Sequence, residues 1–120
     1  MSAEILRRAA SLMRERAEAC LGDRPEWFTE VDGYDERNIW TQRDEWDYAP
    51  QPVLSEHDLR KTPGAFDHFA AFTPAVALAV ADWLDDVADT FQNDVGFPAP
   101  EHQMAFAPYR VARTYLGEIA

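Results

Sequence analysis

The chain has 120 residues, a net charge of −11 and an apolar fraction of 47%. That length and apolar content suit one domain with one core, so residues 1–120 are expected to form a single compact unit. An excess of 22 acidic over 11 basic residues repels phosphate backbones and argues against direct nucleic-acid binding. The longest apolar run, Ala75 to Ala81, ends at Asp82 and falls well short of the roughly 20 residues that cross a bilayer, so no membrane association is expected.

The first twenty residues mix Arg and Glu with Ala and Leu and show neither an apolar signal region nor a small-residue cleavage site, which points to a cytoplasmic protein. In the same stretch Leu6, Ala9, Ala10, Met13, Ala17, Cys20 and Leu21 recur at spacings of three and four, predicting an amphipathic helix from Ser2 to Leu21. Gly22 supplies its stop and Pro25 prevents its resumption. Cys20, the lone cysteine, reads as a small core residue, since no basic neighbour in sequence lowers its pKa.

Strand formers then dominate. Trp27 to Asp32 and Asn38 to Gln42 predict an antiparallel hairpin, with turn signals at Asp32-Gly33 and Tyr34-Asp35. A third strand is expected at Pro52 to Leu54, and its prolines confine it to an edge. Between the strands lies an acidic and aromatic segment in which Trp40, Trp46 and Tyr48 interleave with Arg43, Asp44, Glu45 and Asp47. Large aromatics there either cover a small sheet or anchor a partner.

Ser55 and Asp58 mark a short helical turn, and Thr62-Pro63 offers a cap and first-turn proline for a helix reaching Phe72, with Phe66, Phe69, Ala70 and Phe72 inward. Thr73-Pro74 repeats that signal for the longest helix, Pro74 to Phe91. Its first half is apolar on all sides and is expected to be buried between other elements. Its second half turns Leu84, Val87, Ala88 and Phe91 inward and sets Asp82, Asp86 and Asp89 on one face, with Asp85 nearby. Gly96, Pro98 and Pro100 make a loop, a turn spans Glu101 to Ala107, and a last helix runs from Pro108 to Gly117 with Val111, Ala112, Tyr115 and Leu116 inward. The fold class is α+β: an N-terminal helix, a small antiparallel sheet of two or three strands, then two or three C-terminal helices packed on it.

Several separated segments carry a family resemblance: Leu6 to Ala17, Arg24-Pro25-Glu26-Trp27, Asp67-His68-Phe69-Ala70, Pro74 to Leu84, and Val111 to Glu118. In this order they resemble small uncharacterised acidic proteins carried by actinobacteria and their phages. Those relatives have Pro-Gly-Pro-Trp where this chain has Arg24-Pro25-Glu26-Trp27, and the stretch from Asp35 to Tyr48 has no counterpart among them. The resemblance implies a phage-type accessory protein and transfers no catalytic residue.

No phosphate-binding glycine loop, Ser-His-Asp arrangement or nucleophile elbow is present. No cofactor is called for. His57-Asp58 and Asp67-His68 put neighbouring residues on different sides of the backbone, so neither makes a metal pair. The leading expectation is a non-enzymatic protein that binds a host or phage protein with a basic surface, as an inhibitor or a mimic of nucleic acid. Trp40, Asp44, Glu45, Trp46, Asp47, Tyr48, Asp82, Asp85, Asp86 and Asp89 are the candidate binding residues. Two alternatives stand beside it. One is a small metal-dependent hydrolase using His68 and nearby carboxylates, and the other a minor assembly component with a large apolar self-contact.

Overall fold

A computed structural model describes residues 2–21, 27–40 and 53–118. The fold is α+β. Helix α1 spans Ser2–Leu21, strands β1, β2 and β3 span Phe28–Val31, Arg37–Trp40 and Leu54–Ser55, and helices α2, α3 and α4 span Ala65–Ala71, Pro74–Thr90 and Ala107–Tyr115. Short 3-10 turns at His57–Leu59, Gln92–Asp94 and Pro100–Ala105 link them. The chain divides into two compact units, one of residues 1–16 and 77–120 and the other of residues 17–76.

In the first unit, α1 buries Leu6, Ala9, Ala10 and Met13, the i, i+3, i+4, i+7 stripe that its sequence spells. They share one cluster with Ala81, Leu84 and Ala88 of α3 and Tyr109 and Ala112 of α4. The C-terminal helices expected on the sheet thus find their core partner in α1. Many contributors are alanines, and small side chains let helix axes approach closely. Phe91, Phe97, Phe106 and Tyr109 close one end edge to face, with centroids 5.4 to 5.9 Å apart. The Asp94 Oδ1 accepts the Ala3 N–H at 2.8 Å, satisfying one of the orphan donors at the start of α1.

The first half of α3 departs from expectation, because Ala75, Val76 and Ala79 are exposed, and after Pro74 the next buried residue is Ala81. Alanine hides little surface, so an all-apolar run rich in it does not require cover on every side. Cys20, read as a core residue, is exposed.

In the second unit the sheet order is β1-β2-β3, all antiparallel, which places β3 on an edge as expected, although it runs over Leu54–Ser55 and not from Pro52 to Leu54. The register pairs Phe28 with Trp40 and Val31 with Arg37. The expected extension of β2 to Gln42 lies outside the described residues. Ile39 and Phe66 are the large buried apolar side chains described here, with the smaller Ala17 also buried.

Asp32 organises the hairpin loop. Its Oδ1 accepts the backbone N–H of Tyr34 at 2.8 Å and of Glu36 at 3.1 Å, while Oδ2 accepts the Nδ2–H of Asn38 at 3.0 Å. Asn38 is 5% exposed, and that bond satisfies its buried amide. The backbone closes the same loop through the Asp32 N–H to Glu36 O at 2.8 Å.

Helix α2 starts later than its Thr62-Pro63 signal. Gly64 takes φ +82°, which no helix continues, so the Ala65 N–H closes a turn on Thr62 O at 3.1 Å before the helix begins. With only seven residues α2 presents one narrow inner face, occupied by Phe66. Phe69 and Phe72, expected inward, are each 46% exposed.

Candidate functional site

The carboxylates of α3 do not form a free acidic face. The Nη2 of Arg14 in α1 donates to Asp82 Oδ1 at 2.9 Å and Asp85 Oδ2 at 2.8 Å, and the Nη2 of Arg7 donates to Asp89 Oδ1 at 2.8 Å. These bonds, that to Asp82 foremost, hold the Arg14 guanidinium above its ordinary pKa. Asp86 is exposed and has no ion pair among the described residues. Three of the four acids therefore fasten α3 to α1, each pair being worth about 0.2–1 kcal/mol at such exposure. Sequence periodicity located them on the helix surface, while the arginines that meet them stand 68 to 82 residues away.

Of the aromatic and acidic segment, Trp40 is half-buried in β2 opposite Phe28. Asp44, Glu45, Trp46, Asp47 and Tyr48 lie outside the described residues.

The second unit has a polar centre at Arg37. Its Nε and Nη2 donate to Glu56 Oε2 at 2.9 and 2.6 Å, its Nη1 to Asp67 Oδ1 at 2.7 Å, and its guanidinium lies 4.7 Å from the centre of the Phe66 ring. The bond to Glu56 holds that carboxyl below its usual range, and the two carboxylates, Glu56 first, raise the Arg37 pKa. A shallow cleft of about 150 Å³ opens beside this group, lined by Arg37, Glu56, Arg60, Pro63, Phe66 and Asp67 among others. Arg37 already faces two carboxylates, so the cleft has little attraction left for an anion.

His68 does not line that cleft. Its exposed ring stacks on Phe72 at 6.2 Å and meets the edge of Phe69 at 5.5 Å, while its neighbour Asp67 is held by Arg37. Among the described residues no group of three His, Cys, Asp or Glu side chains is placed to hold a metal ion. Nor is any described helix long and apolar enough to cross a membrane. His57 is exposed, with Nδ1 3.4 Å from Glu36 Oε1.

What the structure brings together instead is an aromatic patch, Phe69 and Phe72 with His68, on a unit whose sequence holds five basic against thirteen acidic residues, a net −8 of the total −11. No family model, curated protein or solved structure matches the chain.

Proposed function

We propose that this is a non-enzymatic accessory protein, of the phage-borne type its sequence resembles, that binds a host or phage protein in the cytoplasm through the acidic, aromatic surface of residues 17–76. The exposure of two phenylalanines, Phe69 in α2 and Phe72 just past its end, carries the reading. Each leaves apolar area in water that burial against a partner would remove, at roughly 25 cal/mol per Å². The acidic surroundings select the partner's rim, since a field of this sign attracts basic surfaces and speeds their approach. Trp40 and the segment from Asp44 to Tyr48 fall within the same stretch of sequence and share its character. The carboxylates of α3 contribute less than their periodicity suggests, because Arg7 and Arg14 already pair with three of the four. Inhibition of an enzyme with a basic cleft, by mimicry of nucleic acid, is one form this binding takes.

The test is affinity capture of a partner at low and high salt with the wild type and with Phe69→Gln/Phe72→Gln. The expected result is saturable, salt-weakened capture that the double variant loses while its far-UV circular dichroism is unchanged. Equal capture by both proteins, or no saturable capture at either salt, would sink the proposal.

A further inference from the structure

Tyr34 sits at the tip of the β1–β2 hairpin with 89% of its surface exposed, and Val31 at the end of β1 is 54% exposed. A tyrosine on a loose loop would need no explanation, but this loop is tied down. The Tyr34 N–H is held by Asp32 Oδ1 at 2.8 Å, the Asp35 N–H by Asp32 O at 3.2 Å, and Asp32 itself by the buried Asn38. Asp35 adopts φ +63°, a left-handed conformation that non-glycine residues take at an energetic cost. The tip therefore holds an aromatic ring in water on a fixed and mildly strained backbone. Fixing the backbone beforehand lowers the entropy lost on binding, and tyrosine is among the residues that dominate protein interfaces. Three carboxylates, Asp32, Asp35 and Glu36, surround the ring in sequence, on the unit that carries a net −8 from five basic and thirteen acidic residues.

We propose that Tyr34 is a preorganised anchor that inserts into a pocket on a protein partner, and that the pocket's rim carries arginine or lysine side chains to meet Asp35 and Glu36. The Asp32 carboxylate acts as a positioning group, holding the loop without entering the pocket. This rests on the protein-binding reading above and names a second contact for it. A second copy of the chain does not suit the site, because two units of charge −8 repel each other.

In the test, Tyr34 of the full chain is replaced by photoreactive benzoyl-phenylalanine in the producing cell, with Phe69 replaced likewise in a parallel protein and exposed Ala105 as a control position. The expected result is a discrete adduct from position 34, mapped to a partner peptide containing Arg or Lys. Excess wild-type protein should compete the adduct away, while Tyr34→Ser and Asp32→Ala proteins should compete at least tenfold less well. No adduct at 34, or one that Tyr34→Ser competes as well as wild type, overturns the inference. An adduct at 69 without one at 34 refutes the anchor and leaves the protein-binding reading standing; adducts at neither position refute both.

Discussion

Replacing Leu84 by alanine tests what holds the first unit together. Leu84 is fully buried, at 0% exposure, in a cluster whose other members include Ala9, Ala10, Ala81, Ala88 and Ala112. The substitution removes three carbons, about 2.4 kcal/mol of transfer free energy at about 0.8 kcal/mol each. Alanine side chains have no rotamers with which to fill the space, so a cavity of about 40 Å³ should survive and add about 1 kcal/mol. The sum, about 3.4 kcal/mol, would lower Tm by about 14 °C at about 4 °C per kcal/mol for a chain of this size. Asp85→Asn, which removes one charge facing Arg14, should cost no more than about 1 kcal/mol, and less in high salt. Urea titration followed by circular dichroism gives both values, with an unchanged slope showing that the same surface unfolds. The reasoning fails if Leu84→Ala costs under about 1 kcal/mol, or if Asp85→Asn costs as much, since ion pairs and not the apolar stripe would then hold α3 on α1.

Two further outcomes follow from the second unit. Asn38 foremost, then the Glu36 and Tyr34 N–H groups, depress the folded pKa of Asp32, so its stabilising effect is complete above the unfolded value and is lost as pH falls through the folded one. Thermal melts between pH 7 and pH 2 should show Asp32→Ala less stable than wild type at neutral pH and converging with it in acid; a constant gap would contradict this. Gly64→Ala meets no atom within 4 Å but forces a side chain into φ +82°, so it should destabilise by about 1–2 kcal/mol through backbone strain alone. A neutral result in urea titration would mean that the turn before α2 readily changes conformation.

Helix α1, the hairpin and the edge position of β3 were legible in the sequence because each depends on local signals: a 3.6-residue apolar period, turn residues between β-formers, and prolines that cannot donate to a ladder. The starts and faces of the short elements were less so. Thr62-Pro63 carries a valid start signal, but Gly64 two residues after Thr62 closes a turn first, and α2 ends before Phe72, whose backbone is no longer helical, so the periodicity that would turn it inward does not reach it. The sequence also shows Asp32-Gly33-Tyr34-Asp35 as turn material, without revealing that one carboxylate would immobilise an exposed tyrosine.

Acidity shows most clearly how far the sequence reaches. By itself it determined the total charge, the fold class and the placement of Asp82, Asp85, Asp86 and Asp89 on the surface of one helix, because composition and helical period are properties of neighbouring residues. Only the tertiary structure decided that Arg7 and Arg14 would meet three of those carboxylates, and that Phe69, Phe72 and Tyr34 would stay in water. Pairing and exposure depend on which surfaces distant segments cover, and that is set by the packing of the cores, in which no charge takes part.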